Sequence, residues 1–115
     1  MNSKNKGKNG ELEFSRLCRS EGYDTRRTAQ YCGNTGEAAD IIGLPHIHVE
    51  VKRVERLNIN EAMRQSIHDA NLNVVEGDKS IPIVAHRRNH DDWYITMRAA
   101  DWFALYREWE SGQGE

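Results

Sequence analysis

Nowhere does this chain hold the roughly 18 consecutive apolar residues that a membrane helix needs, and no apolar signal-peptide core follows its start. Cysteine is scarce. Cys18 and Cys32 are the only two, too few for a disulfide framework, and free thiols in a reducing cytosol are expected for both. His46 and His48 stand two apart, as zinc ligands on one strand face could, but no cysteine pair or third histidine at suitable spacing joins them, which favours a surface or half-buried pair. No internal repeat and no long linker divides the chain. Neither charge sign dominates, since the formal net charge is only −2.

What remains is a chain of 115 residues, 37% hydrophobic and 30% charged. That is enough for one soluble domain with one core and too apolar for disorder. Its charges are unevenly spread. Residues 1–27 carry seven basic against four acidic side chains, and residues 101–115 carry one against four. This polarity suits a protein with one anion-facing side.

"MNSKNKGKNG", residues 1–9 above all, reads as a flexible basic arm leading into a helix. Phe14, Leu17 and Cys18 recur at helical spacing, and Gly22 is placed to stop that helix. "YDTRRT" reads as a short strand, and Gly33, Asn34 and Gly36 mark a loop. "DIIGL" and "IHVEVKRV" are β-rich runs joined at Pro45. Asn60 is a candidate N-cap for a second helix with Met63, Ile67, Ala70 and Val74 as its apolar stripe. "EGDKS" is a turn, "IPIVAH" and "WYITM" are strands around a second turn, and "AADWFALYREWE" is an aromatic-rich helix with a frayed tail at 111–115. The order αβββαββα predicts a mixed β-sheet flanked by helices, in the α/β or α+β class.

The unusual element is the strand at 47–53. Successive side chains of a strand face opposite ways, so Ile47, Val49 and Val51 share one face while His48, Glu50 and Lys52 share the other. If Asp40 opens the neighbouring strand, its carboxylate converges with that of Glu50. Two such groups repel unless a cation lies between them, and a hard ion such as Mg²⁺ is held by a few carboxylates with water and phosphate oxygens. The lysine then suits holding an attacking water or neutralising developing charge. The other reading of Glu50 and Lys52 is a weak pair on a solvated strand.

Asp40 followed by Glu50-Val51-Lys52 resembles the signature of the PD-(D/E)xK nucleases, and the chain resembles their small Holliday-junction-resolvase-like members from archaea and phages. The likeness spans most of the chain. It includes "KGKNGE" (Lys6, Gly7, Glu11), the helix ending in "EGY", "ADIIGL" leading into "VEVKR", Gln65 on the following helix, and a closing hairpin with a basic pair and Trp93. Ala39 stands where the family usually has proline. The resemblance implies a restriction-endonuclease-like fold and a metal-dependent DNA endonuclease acting on branched duplex, leaving a 5′-phosphate and a 3′-hydroxyl. It implies catalytic roles for Glu11, Asp40, Glu50, Lys52 and Gln65. Mg²⁺, replaceable by Mn²⁺, would be held by Asp40, Glu50, the Val51 carbonyl and Glu11. A homodimer in the cytoplasm of a bacterial, archaeal or phage-infected cell is expected, because symmetric cutting of a four-way junction needs two sites. A flap or duplex nuclease and a non-catalytic DNA-binding module are the alternatives.

Helix geometry leaves some roles open. At about 100° per residue, Glu11 lies roughly 65° and Glu13 roughly 95° from the Phe14–Leu17–Cys18 face, so both border it. Glu11 also reads as an acid complementing a helix dipole. Gln65 lies about 160° from its helix's apolar stripe, which fits an exposed residue equally well. His48 borders the candidate face. "HRRNHDD", residues 86–92, is too compact for a His-Asn-His nuclease module and reads as a turn. Lys6, Lys8, Arg26, Arg27, Arg53, Arg87 and Arg88 are candidate DNA contacts, with Tyr31 a base-stacking candidate. Trp93, Trp102, Phe103, Tyr106 and Trp109 suit either base stacking or a core or dimer interface.

Overall fold

The computed structural model describes residues 3–28, 39–72 and 79–114, with side chains from residue 7 onward. Its elements are α1 (Ser3–Ser20), β1 (Arg26–Arg27), β2 (Ile41–Ile42), β3 (Ile47–Arg53), α2 (Ile59–Leu72), β4 (Ile81–Arg87), β5 (Tyr94–Met97) and α3 (Ala99–Ser111). The five strands form one mixed sheet in sequential order. Only the β3–β4 pair is parallel, joined by the α2 crossover; the other neighbours are antiparallel. This is the αβββαββα layered design that the sequence predicts.

The period-two alternation of β3 divides the sheet between its helices. Val49 and Val51 face α1 and join Phe14, Cys18, Ile41, Ile83 and Ala85 in the apolar core. Trp93, partly buried, packs against this layer with its ring 5.0 Å from that of Phe14. Cys18 carries a free thiol buried there; Cys32 lies outside the described residues. The opposite face of β3 carries His48 and Glu50, both buried.

Three helix details differ from the sequence reading. α1 starts at Ser3, so residues 3–9 are its first turns rather than a flexible arm; extending a nucleated helix costs little per residue. On α1, Leu17 is 38% exposed while Ser15 is buried. The N-cap of α2 is Asn58, whose Oδ1 accepts the Glu61 N–H at 3.1 Å; Asn60 is already inside the helix.

The buried face of α2 is Ala62, Ser66, Asp69 and Ala70, rotated by about 85° from the Met63–Ile67–Ala70 stripe. Small and polar side chains suit a helix lying over charged residues, and Ser66 Oγ donates to the Ile83 carbonyl at 2.9 Å. Val74, the Gly33–Gly36 loop and most of the "EGDKS" turn lie outside the described residues.

α1 ends as its sequence predicts. Gly22 has φ 101°, and the N–H groups of Gly22 and Tyr23 donate to the Arg19 and Cys18 carbonyls, the paired closure favoured by a left-handed glycine. Just beyond, a buried polar clasp ties α1 to β1. The Ser15 and Thr25 hydroxyls lie 2.9 Å apart, Thr25 Oγ1 donates to the Ser15 carbonyl, and Arg19 donates to both Ser15 Oγ and the Thr25 carbonyl.

Candidate functional site

Asp40 immediately precedes β2, and its own N–H donates to the Val49 carbonyl at 2.9 Å. The backbone thereby delivers its side chain against β3, where Oδ2 accepts the Val51 N–H at 2.8 Å. Glu50 projects beside it, near enough that each carboxyl group acts on the other's ionisation. Lys52 Nζ lies 3.9 Å from Glu50 Oε2 on the same strand face. Two acids and a lysine, separated by up to 12 positions in sequence, therefore meet at one point.

Their ionisation is strongly perturbed. Burial pushes the Asp40 carboxyl up to about 6, aided by the nearby charge of Glu11 and opposed by the Val51 N–H and Lys52. Burial pushes Glu50 up to about 8, reinforced by the charges of Asp40 and Asp69 and opposed by Lys52. Without a cation the pair retains a proton near neutral pH. A divalent ion would relieve this, so the donor set fits one.

The structure separates Glu11 from Glu13. The two project about 160° apart around α1. Glu11 lies near enough to Asp40 for its charge to act there, and it pairs with Arg27, Nε to Oε1 at 2.7 Å. Glu13 turns the other way, accepting from Arg87 and lying 3.8 Å from Arg53. Gln65 is exposed at the rim of a surface cleft of about 330 Å³, which Lys52 and Arg56 also line. It therefore borders the site through Lys52.

Of the five candidate arginines, four hold acids of the chain itself. Arg27 holds Glu11, Arg53 lies near Glu13 and Glu55, Arg87 holds Glu13, and Arg88 holds Asp91 at 2.6 Å. Arg26 and Lys8 are exposed. Tyr31 and the side chain of Lys6 lie outside the described residues.

Asp69 escapes the sequence reading altogether. It is buried on α2 beneath β3, and its charge acts on both Glu50 and His48. A signal existed, since Asp69 lies three and seven residues after Ser66 and Ala62 on one helical face. That face has no hydropathy contrast, and so the apolar stripe hid it.

The class of fold is the restriction-endonuclease-like α+β fold: a mixed five-stranded sheet, with the acids brought together where β2 and β3 meet. In particular, the solved structure of Archaeoglobus fulgidus Hjc, a Holliday junction resolvase from an archaeal hyperthermophile, is similar to it. The TM-score is 0.55 over 80% of this chain and 72% of that one, at 18% identity. The fold is thus one this chain shares with that resolvase. No protein-family model matches the chain, and no curated protein matches it in sequence.

Proposed function

We propose that the protein is a metal-dependent DNA endonuclease acting on branched duplexes such as four-way junctions. The observation carrying this reading is the meeting of Asp40, Glu50 and Lys52 on a fold shared with a junction resolvase. Asp40 and Glu50, with Glu11 and the Val51 carbonyl beside them, would hold Mg²⁺, with Mn²⁺ able to substitute; the ion supplies Lewis acidity at the scissile phosphate. Lys52 orients the attacking water and offsets the charge that builds on the phosphorus. Water adds to phosphorus and the P–O3′ bond breaks, leaving a 5′-phosphate and a 3′-hydroxyl. Gln65, at the rim of the cleft that Lys52 lines, positions the backbone. Lys6, Lys8, Arg26 and the outer arginines contact phosphates, with Tyr31 stacking on a base.

Two cuts in a symmetric junction need two sites, and α3 offers the face for a second copy. None of its residues is buried, while Trp102, Phe103, Leu105, Tyr106 and Trp109 are 38–60% exposed. At roughly 200 Å² per large side chain, they present about 500 Å² of apolar surface. That is more than half of the roughly 800 Å² each partner gives to a stable interface. A cytoplasmic protein fits this reading, and no helix among the described residues is long and apolar enough to cross a membrane.

Cleavage of labelled junction, flap and linear duplex with Mg²⁺ tests the proposal. Junction-selective cutting that Asp40→Asn abolishes is expected. Equal cutting of all three substrates would make the protein a general nuclease, and binding without cutting under any divalent ion would make it a non-catalytic module.

A further inference from the structure

Behind the Asp40–Glu50 pair lies a second group of metal-binding side chains. His48 and Glu50 project from β3 toward α2, and Asp69 projects back from α2. Only 5%, 4% and 5% of their respective surfaces are exposed. One donor atom from each lies within 4.8 Å of the other two; ligands about 2.1 Å from one tetrahedral ion stand about 3.4 Å apart, so an ion would draw these atoms in by about an ångström.

His48 argues against mere crowding of acids. Its Nε2 is sealed from solvent and has no hydrogen-bond partner among the described residues. Native interiors seldom leave such an atom unmatched, because it forfeits hydrogen bonds to water without replacement. The charges of Asp40 and Asp69 both act on Glu50, and Lys52 Nζ lies 3.9 Å from its Oε2.

We infer that His48, Glu50 and Asp69 form a second cation site, buried between β3 and α2, that takes a transition-metal dication such as Zn²⁺, Mn²⁺ or Co²⁺. The imidazole nitrogen selects this class, since Mg²⁺ prefers oxygen donors and retained water. Glu50 belongs to both sites, so an ion here fixes the carboxylate that faces Asp40. The site stands on its own donors and exists whether or not the protein cuts DNA.

Co²⁺ binding to the metal-stripped protein, followed by visible absorption and by titration calorimetry, tests this. Wild type is expected to bind Co²⁺ with ligand-field bands, and X-ray absorption of the Zn²⁺ form should show imidazole scattering. His48→Gln and Asp69→Asn should each weaken binding by about 10²-fold or more, as loss of a direct ligand exceeds the 10–100-fold typical of outer-shell changes. Asp40→Asn should leave it in place while removing any cleavage. The inference is overturned if imidazole scattering is absent, or if folded His48→Gln and Asp69→Asn proteins bind like wild type. The X-ray measurement needs no variant, so misfolding of one leaves a decisive result. Failure of the endonuclease reading would show separately, as absent cleavage with metal binding intact.

Discussion

The Val51 N–H donates to Asp40 Oδ2 at 2.8 Å, so the strand that carries Glu50 also aims Asp40. Val51 thereby links two acids ten residues apart, and its side chain anchors the same point in the core on the opposite face.

Asp40→Asn keeps an oxygen to accept that N–H but removes the charge. Cleavage should fall by about 10²-fold or more, as when a preorganised electrostatic contact is lost. Circular dichroism should be unchanged. Retained activity would place the chemistry elsewhere.

Stability should fall with pH in a metal-free buffer. Glu50, ordinarily near 4.5 and here about 8, and Asp40, ordinarily 3.8 and here about 6, keep protons in the folded state that the unfolded chain has lost. Their stabilisation is complete below pH 4 and disappears as pH rises through 6 to 8. His48, lowered from 6.5 mainly by burial, acts oppositely below that value, so the decline is clearest between pH 6.5 and 8. A drop in Tm on the order of 5 °C is expected, with added Mg²⁺ reversing it. Glu50→Gln should flatten the profile in thermal melts.

Glu11 and Glu13 should separate by readout. Glu11→Gln frees Arg27 and removes a charge beside Asp40, so cleavage should drop while folding holds. Glu13→Gln breaks contacts with Arg53 and Arg87, away from Asp40, and should leave cleavage near wild type. Its stability cost should be below about 1 kcal/mol, as for part-exposed pairs. Paired kinetic and denaturation measurements check both.

Gly10 permits close approach of α1 to β3. A methyl group there would sit 2.5 Å from Arg53 Cβ, an atom fixed by the strand. Alanine normally gains up to about 1 kcal/mol over glycine within a helix, but the collision should reverse that sign. A loss on the order of 1–3 kcal/mol is expected in urea unfolding, larger for Gly10→Val.

If α3 joins two copies, Trp109→Arg or Trp102→Asp should yield a monomer by light scattering without changing secondary structure. A wild-type monomer at high concentration would remove the dimer proposal.

The element order was legible because β3 alternates cleanly and glycine and asparagine punctuate the helices. The meeting of Asp40 with Glu50 was legible too, since two carboxylates flanking apolar runs need a shared purpose. The facing surface of α2 was not. Ala62, Ser66 and Asp69 are small or polar, and only the charged face of β3 explains their burial. Nor could composition reveal that Arg27, Arg53, Arg87 and Arg88 meet acids of the same chain, because those partners are up to 74 positions away.

The Ser15–Thr25–Arg19 clasp makes α1 and the approach to β1 one mechanical piece. Glu11 rides on the first and Arg27 on the second, so neither can swing without the other. Amide hydrogens along both should exchange with solvent in step, as a single cooperative unit. A Ser15→Ala chain would lose that synchrony before it lost the sheet.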